Sequence, residues 1–66
     1  MSENKFSENL KMHRKRLGMT QNQFAEYCGI YGAQVSQFER GINPSISTLQ
    51  LLCDALKVSA TELLGF

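Results

Sequence analysis

Apolar residues recur at spacings of three and four along most of the chain, which puts them on single helical faces. Phe6, Leu10, the His13/Arg14 pair and Leu17 define an amphipathic helix over residues 6 to 17, ended by Gly18, a residue suited to a left-handed cap. Phe24, Ala25 and Cys28 mark a short second helix, 21 to 28, that stops at Gly29. Its start carries a Thr20-x-x-Gln23 capping box, in which hydroxyl and side-chain amide satisfy backbone groups at a helix start. Over residues 32 to 40 the large apolar positions are Val35 and Phe38, and Gly41 ends the run, so the third helix buries a narrow stripe and exposes much polar surface.

After the loop Ile42-Asn43-Pro44, either Ser45 or Ser47 can cap a fourth helix, 46 to 57. Ile46, Leu49, Leu52, Cys53 and Leu56 form its face, the most regular apolar stripe in the sequence. A second capping box, Ser59 to Glu62, opens a last turn over 60 to 64 that carries Leu63 and Leu64. The expected fold is therefore all-α, five compact helices in one domain, with the fourth helix as the main beam of the core.

At 66 residues a single core is marginal, and packing, with dimerisation as a reinforcement, has to supply the stability. Two cysteines and one histidine allow at most one disulfide and show no zinc spacing, so no metal or cofactor is expected. Cys28 and Cys53 fall on apolar faces, where buried free thiols are expected in preference to a disulfide or a redox pair, which suggests a reducing, cytoplasmic setting. No apolar run approaches the ~20 residues of a membrane span, and the polar N-terminus does not read as a signal peptide, so a soluble protein without a membrane partner is expected. Paired carboxylates at catalytic spacing and a glycine-rich phosphate loop are both missing from the sequence, which argues against an enzyme.

Net charge is only +1, but residues 1 to 18 carry Lys5, Lys11, Arg14, Lys15 and Arg16 against Glu3 and Glu8, for +3, while the remainder sums to −2. A local positive end of this kind suits a nucleic-acid partner better than the overall balance does.

The stretch Thr20 to Gly41, TQNQFAEYCGIYGAQVSQFERG, resembles the helix-turn-helix of the lambda-repressor-like (Cro-type) family of phage and bacterial regulators. In that family a Thr-Gln opens the first motif helix, a small residue stands where the helices cross, a glycine makes the turn and Glu-Arg-Gly or similar ends the recognition helix; the resemblance puts Thr20-Gln21, Ala25, Gly29 and Glu39-Arg40-Gly41 in those places. Two helices joined by so short a turn approach closely only over a small side chain, and the chain reverses most easily at a glycine. The likeness continues through Pro44-Ser45, Leu49, Leu52, Ala55-Leu56 and Val58-Ser59, covering roughly residues 10 to 64.

The resemblance implies that the third helix enters the major groove of double-stranded DNA, with Tyr31, Gly32, Ala33, Gln34 and Gln37 at base edges. A glutamine amide can bond adenine N6 and N7 together, and a small apolar residue such as Ala33 can pack on a thymine methyl. The alternative for each is a solvated helix face. Gln21, Arg40 and Asn43 are the expected phosphate contacts, with Lys11, Lys15 and Arg16 adding general attraction or forming a solvated face. The resemblance also implies that Arg14 and Glu39 form a largely buried structural pair, while His13 is expected to be exposed without a functional role.

The sequence departs from the family where a Ser or Thr commonly caps the recognition helix, since Tyr31 stands there, and at Gly32, which weakens a first turn by about 1 kcal/mol relative to alanine. Either Gly32 lets the backbone approach DNA closely, or the helix start is frayed. The candidate dimer seam comprises Ala60, Leu63 or Leu64, and Phe66, with Ile42 and Ile46; simple core closure is the competing account of those residues.

The function so implied is that of a homodimeric transcriptional regulator, a repressor, on a near-palindromic operator with half-sites ~34 Å apart. It would occlude promoter DNA or touch RNA polymerase. The alternative is an antitoxin-type module that uses the same fold to bind a protein. With no room in these residues for a ligand-binding domain, control is expected through concentration, dimer equilibrium and operator arrangement rather than through a small molecule. Phage, plasmid, restriction-modification and host regulators share the pattern.

Overall fold

The computed structural model describes residues 5–65, which form five helices: α1 (Phe6–Arg16), α2 (Gln21–Cys28), α3 (Gly32–Glu39), α4 (Ile46–Leu56) and α5 (Ala60–Leu64). The architecture is all-helical, as the spacing predicts. Phe66, one of the seam candidates, lies outside the described residues.

Local chemistry sets most of the boundaries. The Thr20 hydroxyl accepts from the Gln23 amide at 3.1 Å, while Gln23 Oε1 accepts from the Thr20 N–H at 2.9 Å. Ser59 and Glu62 repeat the arrangement at the start of α5, each bond 3.1 Å long. Of the two serines available to α4, Ser45 is the cap, with its hydroxyl accepting from the Thr48 N–H. Gly29 closes α2 at φ +79°, a left-handed conformation that needs no Cβ to be accommodated.

The core collects Phe6 and Leu10 from α1, Phe24, Ala25 and Cys28 from α2, Val35 and Phe38 from α3, Leu52 from α4 and Leu63 from α5. Every helix thus contributes to one cluster. Phe6 meets Phe38 edge to face, with ring centroids 5.6 Å apart. The start of α1 is clasped to α5: the Lys5 N–H donates to the Leu64 carbonyl at 2.8 Å, and Asn9 Nδ2 donates to the carbonyls of Leu63 (3.0 Å) and Glu62 (3.3 Å).

Three sequence expectations are corrected here. Leu17 does not extend the apolar face of α1; it is the cap residue after the helix, 45% exposed, and Met19 beyond Gly18 packs on the core instead. Ile46 is 85% exposed, because it occupies the first position of α4, where the helix projects past the core, and only Leu52 of that stripe is fully buried. Leu63, a seam candidate, is buried completely and so closes the core, while Ala60 is exposed and Leu64 half-buried.

Among the described residues no helix is long and apolar enough to cross a membrane, and no group of three His, Cys, Asp or Glu side chains is placed to hold a metal. Both cysteines are free thiols, Cys28 buried and Cys53 half-buried. Burial pushes the Cys28 thiol up to about 11.

Candidate nucleic-acid interface

Helices α2 and α3 pack more extensively on each other than on any other element, and α1 braces α3 from behind. Ala25, 2% exposed, is the small residue between the two motif helices, and the turn after Gly29 is fastened by the Ile30 N–H donating to the Ala25 carbonyl at 2.9 Å. Val35 and Phe38 fix the inner face of α3, so the opposite face, with Ala33 and Gln37, is turned to solvent.

A polar clamp behind α3 holds that face in position. Arg14 Nε donates to Glu39 Oε2 at 2.6 Å and a terminal guanidinium nitrogen donates to Oε1 at 3.1 Å, a two-pronged pairing of planar groups. The other guanidinium nitrogen donates to the Met19 carbonyl at 2.9 Å, and Gln21 Nε2 donates to Glu39 Oε1 at 3.2 Å. One carboxylate at the end of α3 is therefore tied to α1 and to the start of α2. The side chains of Arg14 and Glu39 are only 14% and 5% exposed.

Burial alone would raise the Glu39 carboxyl pKa. The Arg14 and Gln21 hydrogen bonds, with the charges of Arg14 and Lys11, outweigh it and hold the group below the ordinary carboxylate range. The Arg14 pKa is raised in turn, chiefly by its hydrogen bond to Glu39.

The first turn of α3 is not left frayed by Tyr31. Without a serine or threonine hydroxyl, the Gln34 N–H is met by the Tyr31 carbonyl at 2.9 Å, and Gln34 Oε1 reaches back to accept from the Tyr31 N–H at 3.0 Å. Gln34 is thus half committed to capping, with only its amide NH₂ free to face outward. Gln37 is exposed, and no side-chain hydrogen bond ties it to the described residues. Tyr31, 78% exposed, projects from the start of the helix.

Gly32 permits a close approach, and the group that approaches is Asn22 of α2: a methyl at Gly32 would overlap the Asn22 side-chain oxygen. Sequence reasoning did not single out Asn22; an exposed asparagine near a helix start carries no signal until its neighbour across the turn is known.

The remaining expected contacts are dispersed. Arg40, the residue after α3, and Asn43, in the following loop, are exposed beside Gly41, which turns the chain at φ +111°. Gln21 spends one side-chain donor on Glu39, so its free groups are its backbone N–H at the start of α2 and the rest of its amide. Lys11, Lys15 and Arg16 line an open depression with Glu8 and Met12, formed wholly by α1.

A sequence model of the helix-turn-helix family matches residues 10–63, nearly the whole described bundle. The chain belongs to the lambda-repressor-like helix-turn-helix family. Its relatives in that family include the HTH-type transcriptional regulator SlrR of Bacillus subtilis (strain 168), 38% identical over 56 residues that cover 82% of this chain and 37% of that protein. The chain therefore spans little more than a third of the length of this curated relative. Among solved structures, a transcriptional regulator from Listeria innocua superposes with a TM-score of 0.86 at 29% identity, covering 98% of this chain and 62% of that one. A hypothetical transcription factor, NHTF, from Neisseria gives 0.77 at 32% identity, covering 89% and 69%. Within this helix-turn-helix family α2 and α3 are the motif pair, and the Arg14–Glu39–Gln21 clamp joins both of them to α1.

Proposed function

We propose that this helix-turn-helix chain is the DNA-reading part of a transcriptional regulator, a repressor, that inserts α3 into the major groove. The observation that carries the reading is the exposed face of α3: Ala33 and Gln37 one turn apart, with no side-chain hydrogen bond to the described residues, on a helix held from behind by Val35, Phe38 and the Glu39 clamp. A free amide on a rigid helix is suited to base discrimination, since its donor and acceptor can pair with adenine N6 and N7. The names of the relatives, which are transcription regulators, support the same function.

Arg40, Asn43 and the start of α2 at Gln21 flank that face and hold the phosphates, the contacts that position a recognition helix rather than discriminate. A single small domain buries only ~600–1,000 Å² on DNA, so specific binding calls for two copies on a near-palindromic operator. Ile42 and Ile46, 51% and 85% exposed, are the apolar surface for that pairing, together with Ala60 and Leu64. Two copies so placed would cover promoter DNA or meet RNA polymerase beside it.

Selection from a pool of random duplexes tests this reading. The wild-type chain enriches a consensus; Gln37→Ala relaxes one base position at a cost of about 1–3 kcal/mol, whereas Arg40→Ala weakens all duplexes alike and lowers the salt slope by about 1. Unchanged affinity in both variants would refute it.

A further inference from the structure

The first position of the recognition helix has no side chain of its own, and the volume that a side chain would fill there is occupied by another residue. A Cβ built on Gly32 would overlap Asn22 Oδ1 and stand 3.2 Å from Asn22 Cγ and 3.7 Å from Asn22 Cα. Asn22 is the second residue of α2; it is exposed, and its carboxamide makes no hydrogen bond with the described residues. A free donor and acceptor are thus seated on the opening turn of α3, between the exposed Tyr31 and Ala33.

We propose that Asn22 is a base-reading residue that supplies from α2 the side chain Gly32 lacks on α3. The inference rests on the DNA-reading function proposed above. The N-terminal residues of a recognition helix are those that face base edges, and a carboxamide held there presents the same paired donor and acceptor as a glutamine on the helix itself, with adenine as its matching base. Gly32 is the condition for this arrangement, because any larger residue would claim the site. Ala33 and Gln37 continue the reading surface along α3, so Asn22 governs a base position separate from that of Gln37.

The test compares wild type, Asn22→Ala, Gly32→Ala, the double variant and Gln37→Ala. Each is put through random-duplex selection and then competition binding with duplexes altered one base pair at a time. Asn22→Ala is expected to lose about tenfold discrimination at one position that Gln37→Ala leaves intact. Gly32→Ala is expected to lose the same preference, because its methyl evicts the carboxamide, and the double variant to lose no more than either single one. Thermal melts establish that each variant is folded, and Asn22→Ala, an exposed change, decides the matter should Gly32→Ala be disturbed. Retention of every base preference by Asn22→Ala overturns the proposal, as does an equal weakening on all duplexes, which marks a phosphate contact. If Gln37→Ala loses its position while Asn22→Ala loses none, the inference alone fails. A wild-type chain that enriches no consensus refutes the DNA-reading function, and the role of Asn22 with it.

Discussion

Removing one partner of the Arg14–Glu39 pair is the perturbation whose outcome the structure specifies most fully. In Arg14→Met the Glu39 carboxylate, 5% exposed, loses two charge-assisted bonds of 2.6 and 3.1 Å and keeps only the 3.2 Å bond from Gln21, while the Met19 carbonyl loses its donor. Breaking a fully buried pair in this way costs about 3–5 kcal/mol, and the 14% exposure of Arg14 lowers this to roughly 2–3 kcal/mol. A domain of this size has a total stability of about 3–10 kcal/mol, so the variant is brought near the edge of folding, with Tm lowered by roughly 10–20 °C. Urea denaturation followed by circular dichroism at pH 7 measures the loss. The double variant Arg14→Met/Glu39→Leu, which removes both charges, is expected to recover most of it.

The same pair sets the acid limb. Because the folded-state pKa of Glu39 lies below its unfolded value, its contribution is full above the ordinary carboxylate range and is lost as pH falls through the folded pKa. Glu39→Gln should therefore be less stable than wild type at neutral pH and converge on it in acid. Single-variant losses below about 0.5 kcal/mol, with no coupling in the cycle, would refute the view that this clamp holds α3 in place.

Two further predictions concern surfaces the helices leave open or closed. With its thiol pushed up to about 11 by burial, Cys28 should resist a thiol reagent such as DTNB at pH 8 until the protein unfolds, with the half-buried Cys53 reacting first; two thiols that react at the rate of free cysteine would contradict the burial. Ile46→Glu should leave the thermal melt within about 0.5 kcal/mol of wild type, since the residue is 85% exposed, yet weaken the proposed self-association in sedimentation velocity; unaltered association would remove Ile46 from the proposed pairing surface.

Much of this fold was legible because its determinants are local. Capping boxes at Thr20 and Ser59 and the turn glycine at position 29 act within a few residues, and each stands where the sequence puts it. Periodicity was least informative at helix ends: Leu17 and Ile46 fit the repeat, yet one follows its helix and the other projects beyond the core. The Asn9 clasp joins residues more than fifty positions apart, which no local pattern reveals. At the candidate site, the Tyr31 and Gly32 departures were visible, but their consequences depend on geometry: Gln34 folds back as a cap, and Asn22 fills the space over Gly32.

Whether the solvent face of α3 is the surface that meets DNA is read out by titrating ¹⁵N-labelled protein with a duplex obtained by selection and following amide shifts residue by residue. The largest changes are expected on Tyr31 to Gln37, flanked by smaller ones at Thr20 to Asn22 and Arg40 to Asn43. Changes centred instead on the Lys11, Lys15 and Arg16 face of α1, or on α4 and α5 alone, would contradict that assignment.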